Sequence, residues 1–415
     1  MAKRDKKLNV LMLTHIYSDV VTGGETKATW EITNALAKKG VKIHVVTLFF
    51  KTNQRKLNSN IKVYCLPLSR QTRSFDKLGM FKTFFYAIPI IFFKKIDVIH
   101  LINTQGPHPF AYWKIRPFVS TVDLQWNYDS HRFKEELSYD RFLKVEEFGL
   151  LEQKPNLLDR ILGRLAVWFF KIFRLNEQLP KSIDLCAYRH KKLSYQLKEK
   201  GYQCQFVYIP VGVDIDKFRP KQEMNDKSNR ISFLFTGTIS KRKGVEYLIR
   251  AFNIISQKYK DTELILIGPG ADQTVKFFKS MVKFPKRIKF MGELSTEQII
   301  EYTNKADVFI SPMIGLDLGI NKSVIEAMAC GKPIIVNQAH DSEKLDGKVG
   351  FCVKPGETGS IAEAMERFLK NPALIKIMGE KSRKFAVKNH DWSVLAERLK
   401  NAYIRLISVY DEIHR

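Results

Sequence analysis

Cysteine is scarce. The chain has 5 in 415 residues, Cys65, Cys186, Cys204, Cys330 and Cys352, with no C-x-x-C pair and no Cys/His cluster at ligand spacing. That argues against a disulfide framework or a zinc module and fits a reducing cytoplasm. Long apolar runs are missing as well. The uncharged apolar stretch from Thr83 to Phe93 is broken by Pro89 and falls well short of the roughly 20 residues a membrane-spanning helix needs. The run after Lys7 is interrupted at Thr14 and His15, too soon for a secretory signal. There is no G-x-G-x-x-G and no low-complexity tract, which disfavours a dinucleotide dehydrogenase. Acidic residues are outnumbered, 43 against 69 basic, for a net charge of +26. Residues 1–219 hold 37 basic and 20 acidic side chains, and residues 220–415 hold 32 and 23. Such an excess points to phosphates: nucleotides, nucleic acid or anionic headgroups.

What is present is an alternation of strand and helix. Leu8–Leu13 is a continuous apolar run of the kind buried on both faces of a parallel sheet. A loop with Gly23 and Gly24, a helical pattern through Trp30, Ile32 and Leu36, and a second run from Lys42 to Phe49 make one βαβ unit. Apolar runs at 96–102, 117–122 and 183–187 continue it. The pattern restarts after Pro210 with strands expected at Ile231–Thr236, Glu263–Ile267, Ile288–Met291, Asp307–Ile310 and Pro333–Val336, and a helix at 243–258. The expected fold is therefore α/β: two doubly wound, Rossmann-like domains facing across a cleft, at 1–210 and 211–390, with a C-terminal helix at 391–415 packing back on the first.

Three segments carry candidate chemistry. Gly23 and Gly24, where strand turns to helix, would let backbone N–H groups approach a phosphate; the plainer reading is a tight turn. Lys241, Arg242 and Lys243 follow the strand that ends at Gly237 and Thr238, the ligand end of such a sheet, and could neutralise a diphosphate; a solvated charge run is the competing reading. The stretch 311–333 leads through Asp317, Gly319 and Asn321 into a helix starting near Lys322 and Ser323, whose N–H groups and dipole suit a phosphate. Glu326 is expected on its first turn, where its carboxylate could accept from ribose hydroxyls or merely favour the dipole.

Taken together, GGE at 23–25, PVGVDIDKF at 210–218, FTGTISKRKGVEYLIRAF at 235–252, LILIGPG at 264–270, FMGELS at 290–295, VIEAMACGKPIIV at 324–336 and HDW at 390–392 resemble glycosyltransferase family 4, of GT-B fold. The resemblance covers nearly the whole chain and is strongest in its second half. It implies retaining transfer of a hexose from a nucleotide diphosphate sugar to an acceptor hydroxyl, with no metal or other cofactor. By position it implies that Gly24 approaches the donor phosphates, Lys243 neutralises the diphosphate and Glu326 holds the ribose. Three positions depart from the family pattern: Thr238 stands for its usual arginine, Val122 for its usual histidine, and Leu318 for the carboxylate eight residues before Glu326. Asp317 could supply that carboxylate, Lys241 or Arg242 the cation, and His108 or Asp123 the histidine's role.

The segment from Leu157 to Arg174 places Arg160, Arg164, Lys171 and Arg174 within about 80° on a helical wheel, opposite Ile161, Leu162, Leu165, Trp168, Phe169 and Ile172. Residues 70–95 combine six basic residues with one acidic residue and seven Phe or Tyr. Both read as sheet-covering helices or as basic, membrane-facing surface. The expectation is a cytoplasmic enzyme, peripheral on an anionic membrane face, with a glycan or polyprenyl- or lipid-linked acceptor and no specific nucleic acid. A catalytically inactive scaffold or regulatory partner is the alternative.

Overall fold

A computed structural model describes residues 8–20, 24–54, 56–66, 77–102, 110, 115–122, 182–221, 230–314, 320–339 and 342–413. The chain divides into two compact units, Met1–Pro210 with Leu395–Arg415, and Val211–Val394.

The first unit holds β1 (Asn9–Ser18), α1 (Gly24–Lys38), β2 (Lys42–Lys51), β3 (Ile61–Cys65), α2 (Lys77–Phe93), β4 (Val98–Leu101), β5 (Phe118–Val122), β6 (Leu185–Tyr188), α3 (Lys191–Glu199) and β7 (Gln205–Tyr208). Its strands pair in parallel in the order β3-β2-β1-β4-β5-β6-β7. Leu11 and Leu13 of β1, Val46 of β2 and Ile99 of β4 meet Phe84, Ala87 and Ile91 of α2 in one buried cluster. The basic segment 157–174 lies outside the described residues.

The second unit holds β8 (Ile231–Thr236), α4 (Val245–Lys258), β9 (Thr262–Ile267), α5 (Asp272–Ser280), β10 (Ile288–Gly292), α6 (Thr296–Lys305), β11 (Val308–Ser311), α7 (Lys322–Ala329), β12 (Ile334–Asn337), β13 (Gly350–Val353), α8 (Thr358–Lys370) and α9 (Ala373–His390). The last helix, α10 (Trp392–Ile413), starts here and runs into the first unit. The sheet order is β10-β9-β8-β11-β12-β13, again parallel. The unbroken apolar runs of its strands have a physical cause. Phe233 and Phe235 of β8 turn to one face and pack with Leu248 and Phe252 of α4. Leu234 turns to the other and packs with Val324 and Met328 of α7. Both faces are covered, so the central run Phe233-Leu234-Phe235 is apolar without a break. Each such side chain contributes about 2 kcal/mol by leaving water.

The bounds of β8 coincide with those expected. The helix expected at 243–258 begins instead at Val245, because Lys241–Lys243 form a separate 3-10 turn and Gly244 is left-handed (φ 74°, ψ 15°). Three strands absent from the sequence reading, β3, β7 and β13, each stand at the edge of a sheet.

In the first unit α10 is fastened to the sheet by polar contacts. His100 at the end of β4 is fully buried; its Nδ1 lies 2.5 Å from the Tyr403 hydroxyl and its Nε2 2.7 Å from Thr121 Oγ1. Arg398 donates to the Tyr208 carbonyl at 3.0 Å, and Lys39 pairs with Glu397 at 3.4 Å.

Candidate functional site

The second unit gathers its candidate residues at the carboxyl ends of β8 and β11, neighbours in the sheet. After β8 the chain passes through Gly237, exposed Thr238 and buried Ile239 to the turn bearing Lys241, Arg242 and Lys243. Gly244 then closes the turn. Its left-handed backbone suits glycine, and an added Cβ would overlap the Pro312 carbonyl oxygen. That close approach holds the loop after β8 against the loop after β11. The Ile314 N–H donates to the Arg242 carbonyl at 3.0 Å, and Lys243 Nζ lies 3.7 Å from Met313 Sδ.

On the other side of Met313 begins α7. Asn321 caps it: Oδ1 accepts from the Val324 N–H at 3.1 Å and from Ser323 Oγ at 2.8 Å. Its Nδ2 donates to Ser311 Oγ at 2.9 Å and lies 3.3 Å from Met313 Sδ. The Met313 thioether therefore sits between an ammonium and a helix N-cap. The N–H groups of Lys322 and Ser323, at the start of α7, have no intrahelical acceptor, which makes this end of the helix electropositive.

Glu326 stands a full turn into α7, four residues after Lys322, rather than on the first turn. The helix begins at Lys322, so the carboxylate is set by an ion pair across that turn, 3.3 Å from Lys322 Nζ, rather than by the dipole. Its side chain keeps 17% of its surface exposed, enough for a carboxylate oxygen to accept from a ligand hydroxyl.

Neighbouring loops brace this end of the sheet. Gly237 N–H donates to the Ile267 carbonyl at 2.9 Å, Ile239 N–H to the Pro269 carbonyl at 2.7 Å, and a Cβ on Gly268 would overlap the Gly237 carbonyl. From the opposite end of α7, Arg383 Nη1 donates to the carbonyls of Ala329 and Phe218, each at 2.8 Å, and so ties the PVGVDIDKF segment to that helix.

Lys243, Asn321 and Ser323 are thus brought together, with Arg242, Lys322 and Glu326 on the same elements. Gly24 is the first residue of α1, in the first unit, and Val122 is the last of β5. Gly23, His108, Asp123, Asp317, Leu318 and Gly319 lie outside the described residues. The sequence reading missed Ser311 and Met313. Their signal was positional: Ser311 ends the strand beside β8 and Met313 follows it, where loops meet the ligand end of the sheet. Among the described residues no group of three or more His, Cys, Asp or Glu side chains is placed to hold a metal ion.

Residues 230–371 match the family model described as glycosyl transferases group 1, and residues 21–148 match that of the glycosyl transferase 4-like proteins. The chain belongs to the group 1, family 4 glycosyltransferases. It has their GT-B fold. Solved structures agree: a glycosyltransferase from Rickettsia africae superposes with a TM-score of 0.69 at 17% identity, covering 97% of this chain and 99% of that one. The Anabaena HepE protein in complex with UDP gives 0.62 at 16% identity, over 95% and 99%. Among curated relatives, a GDP-mannose-dependent monoacylated alpha-(1-6)-phosphatidylinositol monomannoside mannosyltransferase of Corynebacterium glutamicum is 27% identical over 54% of this chain and 63% of its own. An alpha-monoglucosyldiacylglycerol synthase of Acholeplasma laidlawii is 22% identical over 75% and 76%. The match to the Corynebacterium relative thus covers less than two thirds of that protein's length, as does the match to a mannosyltransferase of Mycolicibacterium smegmatis, at 56%.

Proposed function

We propose that this glycosyltransferase moves a hexose from a nucleotide diphosphate sugar to a hydroxyl of a glycan or lipid-linked acceptor, with retention at the anomeric carbon. The observation that carries the reading is the convergence of Lys243 and the Asn321-capped end of α7 on Met313. The leaving group is a nucleoside diphosphate, so the principal catalytic task is to stabilise negative charge that grows on its phosphates as the C1–O bond breaks. An ammonium and the N–H groups of a helix end are fixed donors suited to that task. Glu326, one turn further along, is assigned to the ribose hydroxyls, and Gly24, at the start of α1, to close approach to the donor phosphates. The acceptor oxygen attacks C1 from the face the diphosphate leaves, and its proton passes to a phosphate oxygen. No protein nucleophile and no metal is called for.

A lipid-linked acceptor is supported by the surface of α2. Phe85, Tyr86, Phe92 and Phe93 are all exposed, Phe93 at 82%, and exposed Lys94 and Lys95 follow. The names of the Corynebacterium and Acholeplasma relatives describe transfer to lipids. Among the described residues no helix is long and apolar enough to cross a membrane; the proposed contact is peripheral.

The deciding experiment is calorimetric titration with UDP, GDP, ADP and CMP, repeated on Lys243→Ala and Glu326→Ala. One nucleoside diphosphate is expected to bind, and each variant to weaken it about tenfold or more, the loss of ~1.4 kcal/mol. If none binds, the donor site is wrong and the departures at Thr238, Val122 and Leu318 favour an inactive scaffold.

A further inference from the structure

The first unit carries a pair of thiols that sugar transfer does not use. Cys186 lies within β6, and Cys204 immediately precedes β7. The parallel register sets Cys186 opposite Phe206 and Leu185 opposite Gln205. Strand alternation then turns Cys186, Phe206 and Cys204 to the same side of the sheet. All three pack on one apolar cluster: Cys186 is a buried member, and Cys204 and Phe206 border it. The two thiols lie close enough to shift each other's titration, and Tyr202 feels both. Their exposure differs, Cys186 being buried and Cys204 only half-buried at an edge strand.

From this paired placement, one thiol reachable at a sheet edge and its partner buried behind it, we infer that Cys186 and Cys204 form a peroxide-responsive dithiol that closes to a disulfide.

The environments divide the roles. Interaction with Cys186 draws Cys204 below the ordinary thiol range, while interaction with Cys204 and burial hold Cys186 well above it. Partial burial and the Asp184 carboxylate act the other way on Cys204 and do not reverse the direction. The other thiols are held in the protonated, inert form: burial pushes Cys330 up to about 12 and Cys352 to about 11, and raises Cys65 as well. Cys204 is the one of the five drawn towards thiolate, the form that attacks an oxidant.

The step balances. The Cys204 thiolate attacks one oxygen of hydrogen peroxide, the O–O bond breaks, hydroxide leaves and Cys204 becomes a sulfenic acid. The Cys186 sulfur then attacks the Cys204 sulfur. The S–O bond breaks, the hydroxyl departs with the Cys186 proton as water, and the disulfide forms. Two thiols have been oxidised and one peroxide reduced to two waters.

The test uses the full chain carrying Cys65→Ser, which removes the exposed thiol and with it intermolecular coupling. The folded protein is treated with a few equivalents of hydrogen peroxide, blocked with N-ethylmaleimide and digested without reductant. A cross-linked peptide pair is expected, Ser182–Arg189 joined to Gly201–Lys217, lighter by two hydrogens than the sum of its parts and separated by dithiothreitol. Cys204 should be consumed at least about tenfold faster than Cys330 or Cys352. In Cys186→Ser, Cys204 should accumulate as a sulfenic acid trapped by dimedone. In Cys204→Ser, Cys186 should stay reduced. Unfolding in urea should abolish the preference, which separates a property of the fold from peptide reactivity. Oxidation of Cys204 no faster than of Cys330, or conversion to sulfinic acid with no cross-link in the folded protein, would overturn the inference. Mass is the readout, so failure here leaves the donor-site reading untouched.

Discussion

At the scale of single residues, His100 shows how a titratable side chain becomes structural. A neutral imidazole offers one donor and one acceptor, and His100 finds a hydroxyl on each side, Tyr403 and Thr121. Burial holds its pKa down to about 3, whereas the unfolded chain gives histidine about 6.5. The folded-state value is the depressed one, so between pH 3 and 6.5 the unfolded chain binds the extra proton. Stability from the neutral ring is complete above pH 6.5 and is lost as pH falls through that window, by up to ~1.4 kcal/mol per pH unit. His100→Gln, which keeps a donor and an acceptor but cannot titrate, should flatten the fall in denaturation midpoint between pH 6 and 4. An unchanged slope would mean that His100 is not the neutral staple of α10.

At the scale of elements, α7 couples folding to the candidate chemistry through its cap. Asn321 uses Oδ1 to satisfy the helix and Nδ2 to reach Ser311 and Met313. The two roles separate by substitution. Asn321→Ala removes both and should cost about 1 kcal/mol of stability. Asn321→Asp keeps the capping acceptor and gains from the dipole, so its thermal midpoint should stay near that of the parent protein, while its carboxylate should weaken nucleoside diphosphate binding about tenfold by repelling phosphate. Equal binding by Asn321→Asp and the parent would detach the helix end from the phosphates. The strands show what the sequence made legible. Ile231–Thr236, buried on both faces, reads as a strand from composition alone. The edge strands β3, β7 and β13 escaped because an edge strand needs no apolar residue at every position: β3 reads IKVYC, with Lys62 and Cys65 exposed. The glycine-rich and cationic motifs marked the ligand end of the sheet. The meeting of Lys243 with Asn321 around Met313 was not legible, because it depends on β8 and β11 being neighbours in the sheet although 71 residues lie between Thr236 at the end of the one and Val308 at the start of the other.

At the scale of the whole molecule, a net charge of +26 bears on the proposed membrane contact, for which the first unit offers a candidate surface. Lys42, Lys62 and Lys94 surround half-buried His44 closely enough that, with burial, they lower its pKa. All three are exposed, as are Lys95 and the aromatic rings of Phe92 and Phe93 beside it. Cations and aromatic rings together suit the headgroup region of an anionic bilayer, where each lysine contributes roughly 1 kcal/mol and each buried ring adds an apolar term. The two contributions respond differently to salt, because screening acts on charge and not on apolar burial. In co-sedimentation with phosphatidylglycerol-containing vesicles, Lys94→Gln/Lys95→Gln should weaken binding at low salt and converge on the parent protein at high salt. Phe92→Ser/Phe93→Ser should weaken it at both. Neutral phosphatidylcholine vesicles should retain little protein. Equal retention on neutral and anionic vesicles would remove the charge from the account, and unaltered binding of the Phe92→Ser/Phe93→Ser protein would remove α2 from the proposed membrane contact while leaving the proposed donor site of the second unit unaffected.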